Sequence, residues 1–181
     1  MIRILLYLIA LSSVGCANIP LTTMLKFKDW NASYLTALNP SELQAKVELE
    51  SPFTLQVEDT VLTVDIDTTR GTQTHRFPLV LTQELKKTQK GGWFSAATSF
   101  TEYTFKLPEE AYANLSDVQK MMSTQQKGSV AFGVATKFKA MSAEAEFITL
   151  SVQLKLDKTT EYFTLIDSAE IKVDRGDAAY N

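Results

Sequence analysis

Few residues in this chain are of a type that could carry chemistry. Its 181 residues include one histidine, His75, and one cysteine, Cys16. A nucleophilic dyad or triad needs histidine beside a serine, a cysteine or an acid. The surroundings of His75, Thr74-His75-Arg76-Phe77, read as an ordinary strand. One thiol and one imidazole leave zinc and copper without their usual ligand sets. A single cysteine also rules out an internal disulfide. Asp65 and Asp67 share one face of an expected strand, with Glu58 and Asp59 close in sequence. Carboxylates so spaced can hold a hard cation or act as an acid/base pair. No calcium-register loop accompanies them, and a solvated face is the expected reading. Gly91-Gly92 is not followed by Lys-Ser/Thr and lies in no βα unit, so it does not form a phosphate loop. No catalytic residue, metal ligand or cofactor is assigned, and a non-enzymatic protein is expected.

One cluster combines charge with aromatic surface: Lys86, Lys87, Lys90, Trp93 and Phe94. It is the candidate contact with a protein partner, a glycan or lipid headgroups. The chain carries 18 basic against 21 acidic residues, a formal charge of −3. That balance gives no basic footprint for nucleic acid.

The amino terminus is the most informative segment. Residues 1–16 read MIRILLYLIALSSVGC. Arg3 precedes an apolar run from Ile4 to Leu11, and small or weakly polar residues follow. This is the layout of a secretory signal peptide over residues 1–15. The run is too short to cross the roughly 30 Å hydrocarbon core of a bilayer at about 1.5 Å per residue. Ser13-Val14-Gly15-Cys16 resembles a lipobox, the processing motif of bacterial lipoproteins. The resemblance implies that Cys16 becomes the first mature residue, with a diacylglyceryl thioether and an acylated amine. The thiolate is the nucleophile that such a transfer needs, and two or three acyl chains anchor where one would not. Ala17, rather than Asp, follows the cysteine, which in this family implies the outer membrane, here expected at its periplasmic face. The mature part also resembles uncharacterised proteobacterial lipoproteins in two stretches, Pro20-Leu21-Thr22-Thr23-Met24 and Asn39-Pro40-Ser41-Glu42-Leu43.

The elements that must carry any site are expected to be mainly β. Residues 16–28 form a lipidated tether, 29–174 a single β-rich domain and 175–181 a tail. Asp29 or Asn31 is expected to cap a short helix ending near Leu38, before Asn39-Pro40. Period-2 alternation marks strands at Ala45–Glu50, Phe53–Val57 and Val61–Asp67. A hairpin at Asp67–Gly71 leads into a return strand with His75, Phe77, Leu79 and Leu81. Pro78 inside it points to a sheet edge. Residues 83–92 read as a polar loop or short helix. The spacing of Phe100 and Tyr103 suggests a bulge in the next strand. Pro108 opens a helix expected to reach Gln126, with Ala111, Leu115, Val118 and Met122 on its apolar stripe. Strands follow at Val130–Phe138, Ile148–Leu156 and Phe163–Val173. The fold class expected is an antiparallel β-sandwich, or a sheet packed by one or two helices. The function expected is that of an anchored binding or scaffold module of the cell envelope. The alternatives are a carrier of lipid or another hydrophobic ligand, and an accessory lipoprotein of a secretion machine.

Overall fold

Alternation along the first strand dictates the architecture. In β1, Gln44–Glu50, the residues Ala45, Val47 and Leu49 are fully buried while their neighbours are half-exposed. A strand of that pattern needs a second layer over one face and water over the other. A computed structural model of the chain supplies that layer and describes residues 36–68, 71–90, 97–123, 128–139 and 146–172. Cys16, the tether, most of the expected first helix, Trp93, Phe94 and the tail all lie outside these residues.

The remaining elements are β2, Leu55–Thr68; β3, Gly71–Pro78; β4, Val80–Gln89; β5, Thr98–Lys106; α1, Tyr112–Ser123; β6, Gly128–Phe138; β7, Phe147–Lys155; and β8, Phe163–Lys172. Five strands form one antiparallel sheet in the order β4-β5-β1-β7-β8, and three form another in the order β3-β2-β6. The two sheets and the helix share one core. Leu62, Val64 and Ile66 of β2 meet Tyr103 and Phe105 of β5 and the inward residues of β7 in that core. Burying each such side chain contributes about 2 kcal/mol. The mainly β, two-sheet class read from alternation is the class observed.

Tyr103 couples the layers. Its side chain is fully buried. Burial pushes the phenol above its ordinary value, against hydrogen bonds from the Leu55 backbone and the Thr101 side chain. A residue of the five-stranded sheet is thus tied to the first residue of β2. The helix closes the same core through Leu115, Val118 and Met122. Gln119 Nε2 donates to the Leu38 carbonyl at 2.7 Å, which fixes the chain entering β1 against α1.

Several boundaries differ from the sequence reading. Residues 83–89 are strand, not loop or short helix. β4 pairs with β5 from Val80↔Lys106 to Gln89↔Thr98, and every residue of β4 is exposed. Backbone pairing holds it there, with Lys87 and Thr82 adding side-chain contacts to Glu102 and the Thr104 carbonyl, so its side chains carry no burial signal. Leu81 belongs to β4 and not to the return strand. The chain leaves β3 at Leu79, whose N–H donates to Thr60 O at 2.9 Å, and crosses to the other sheet. The bulge lies in β4 between Leu81 and Gln83, not in β5. β5 keeps unbroken register with β1, and Phe100 simply points to the opposite face from Tyr103. Pro108 caps a 3₁₀ turn at Glu109–Ala111, and the α-helix starts at Tyr112. Thr36 and Ala37 are the described end of the first helix. Beyond them Asn39 caps a 3₁₀ turn by accepting from the Ser41 N–H. β3 is an edge strand, as Pro78 requires.

Candidate functional site

The outward face of the five-stranded sheet is charged. Pairing sets Lys46 and Glu48 of β1 beside Glu102 of β5 and Lys87 of β4, all on the side away from the core. Lys87 Nζ lies 2.5 Å from Glu102 and 3.7 Å from Glu48, and Lys46 Nζ lies 3.5 Å from Glu102. Burial pushes the Glu102 carboxyl up, but the hydrogen bonds and charges of Lys87 and Lys46 together outweigh it and hold it below the usual 4.5. The hydrogen bond from Glu102 raises Lys87 above 10.5. Lys46 also sits 4.4 Å above the Tyr162 ring, whose hydroxyl donates to Gln44 Oε1 at 2.5 Å. Burial, and then the charge of Glu102, raise that phenol.

β8 forms the other wall. Its register against β7 shifts where Leu150↔Ala169 gives way to Val152↔Ile166, so Asp167 and Ser168 stand opposite Ser151 alone. Ser168 takes φ 45°, a left-handed conformation that costs a non-glycine residue about 1 kcal/mol or more. Its N–H donates to Ser151 Oγ at 2.9 Å. The bulge re-aims side chains that a regular strand would send elsewhere. Together these walls enclose an open groove of about 380 Å³, with Ser151, Gln153 and Thr164 on its floor. That volume suits a small polar group. Asp167 accepts a hydrogen bond from Ser168 Oγ at 3.2 Å and has no cation partner among the described residues.

Of the sequence-derived contact cluster, Lys87 is the one described member that reaches this groove. Lys86 pairs with Thr101 and so lies on the opposite face of β4, while Lys90 follows the strand end. Adjacent strand residues point to opposite faces, which separates the two lysines. Asp167 and Ser168 were not singled out from the sequence. Their signal was a charged residue standing where unbroken alternation from Phe163 and Leu165 asks for an inward side chain.

No protein-family model, curated protein or solved structure matches this chain. The reading of the groove therefore rests on its own geometry.

Asp65 and Asp67 lie on the outward face of β2, where Thr74 and Thr72 donate to them at 2.6 and 3.1 Å. Asp59 pairs with Lys137 at 2.8 Å. Among the described residues no cluster of His, Cys, Asp and Glu has the makings of a metal site. His75 pairs with Val64, so it faces inward. It lines a shallow cleft of about 290 Å³ with Asn114, Asp117, Val118 and Met121 of α1. Among the described residues neither a serine nor a cysteine lines that cleft. The buried His75 Nε2 has no hydrogen-bond partner among the described residues.

Two predictions follow from these contacts. Glu102→Gln is expected to cost about 1 kcal/mol at neutral pH, because Lys87 is partly exposed and the pair is screened. The Glu102 carboxyl is depressed in the fold, so its contribution is full above 4.5 and fades as acid protonates it in the folded protein. Urea midpoints of the two proteins should differ at pH 7, and the difference should shrink as the pH falls below 4.5. A gap that persists in acid would assign the loss to packing instead. The second concerns His75→Leu, which removes an unpaired buried polar atom and should stabilise the fold by about 1 kcal/mol. A lower urea midpoint for that variant would show that Nε2 has a partner in solution.

Proposed function

We propose that the chain is a lipid-anchored, non-enzymatic binding module of the bacterial cell envelope. In this reading it engages its partner through the outward face of the five-stranded sheet. The observation that carries this is the groove at the β8 bulge. There a left-handed serine, a bulge and an uncompensated Asp167 coincide with the Lys46–Glu102–Lys87 network. Backbone strain held by surrounding structure is characteristic of functional sites. The network presents both signs of charge side by side, which favours recognition of polar groups over catalysis. The lipobox resemblance at Cys16 supplies the anchor in this proposal.

Photocrosslinking in intact envelopes tests the binding face. A photoreactive residue at Gln153 should give a reproducible adduct that Asp167→Ala abolishes. The same probe at Thr63, on the outward face of the other sheet, should give none. Adducts at both positions, or at neither, would reject the assignment. The hydrophobic-carrier alternative requires an enclosed apolar cavity. The polar groove and the shallow cleft at His75, both among the described residues, do not favour it.

A further inference from the structure

β4 ends its sheet with one edge unpaired among the described residues. An edge strand offers a row of backbone N–H and C=O groups to any chain that can lie alongside. Here the strand runs for 10 residues and is exposed throughout, with Val80 at 45%, Leu81 at 37% and Leu85 at 44%. Lys87 is already committed to Glu102 and Glu48 on its own chain. Glu84 and Lys86 have no oppositely charged partner among the described residues. The edge therefore carries one unspent acid and one unspent base, two positions apart.

Symmetry limits how a second copy can use them. A two-fold axis that extends a sheet with an antiparallel copy of the same strand stands perpendicular to that sheet. It leaves each face of the sheet on its own side. Facing residues must then come from the same face, so their positions differ by an even number and the axis passes through a single residue. Centring on Glu84 sets acid against acid. Centring on Lys86 or Lys87 sets lysine against lysine. Centring on Gln83 leaves both Glu84 and Lys86 opposite uncharged residues. Centring on Leu85 sets leucine on leucine and places Glu84 opposite Lys86 of the second copy, twice. Gln83 then faces Lys87, and the regular stretch ends at the Thr82 bulge. Opposite charges facing across strands attract, and like charges repel.

We propose that β4 is a self-association edge, pairing antiparallel with β4 of a second copy about an axis through Leu85. The pairing joins two five-stranded sheets into one. It also places the two charged grooves on the same side of the joined sheet.

The test uses the full chain in detergent. Sedimentation should show a concentration-dependent dimer. Lys86→Glu should weaken it by about tenfold or more, since two attractive pairs become repulsive. The charge swap Glu84→Lys with Lys86→Glu should restore it. Leu85→Cys should form a disulfide between the two copies on mild oxidation, identified by peptide mass. Directly facing residues lie about 4.5–5.5 Å apart between Cα atoms, within disulfide reach. Ile171→Cys, on the opposite edge strand, should stay unlinked. A monomer at all concentrations, a dimer indifferent to Lys86→Glu, a swap that fails to restore it, or an unlinked Leu85→Cys would each overturn the proposal.

Discussion

Cys16→Ala is expected to abolish both acylation and processing. The wild-type chain should lose residues 1–15 and gain fatty-acyl mass on its new first residue. The variant should keep the whole leader and incorporate no labelled palmitate. The reason is chemical: only a thiolate can take up the diacylglyceryl group, and an alanine methyl cannot. Membrane fractionation alone would mislead here. An uncleaved leader keeps its Ile4–Leu11 run, which can itself hold the chain at a bilayer surface. Intact-mass spectrometry of wild type and variant separates the cases. Acyl mass on the variant, or a mature terminus other than residue 16, would refute the proposed anchor.

Tyr103→Ala is expected to remove about 4 kcal/mol of stability, the cost of emptying a large aromatic site in a closed core. A single domain commonly has about 5–15 kcal/mol in total, so this variant sits near the limit of folding. Tyr103→Phe separates the ring from its hydroxyl. It keeps the packing and leaves the Leu55 backbone donor without its acceptor, at about 1–2 kcal/mol. Urea unfolding should rank wild type, Phe and Ala in that order. Equal midpoints for wild type and Phe would show that the contact between the sheets is packing alone. A loss below about 1 kcal/mol for Ala would place the ring outside the core.

The parts of this fold that were legible in the sequence are the parts that bury something. β1, β2, β6, β7 and β8 show period-2 alternation because one face of each meets the core. The stripe of Leu115, Val118 and Met122 marked the helix for the same reason. β4 lacks that mark because neither of its faces is covered, and backbone pairing to β5, which leaves no imprint on side-chain type, is its main determinant. The break at Leu79 was missed because a strand that changes sheets keeps its apolar rhythm across the crossing. The groove was hardest to read. Its walls come from strands distant in the chain, and the feature that shapes it is a register shift. Only Lys87 was singled out in advance, and for its proximity to aromatics rather than for Glu102, which lies on a different strand.

The position of β1 has a kinetic consequence. The first strand of the five-stranded sheet to be synthesised is its middle strand, flanked by β5 and β7. Neither of its edges can be satisfied until those later segments exist, and each closure must first overcome the entropy of a long loop. Assembly of this sheet is therefore a late and slow event, with β1 exposed to unwanted pairing in the meantime. Both neighbours of β1 come from later in the chain, so that interval lasts until β7 has followed β5.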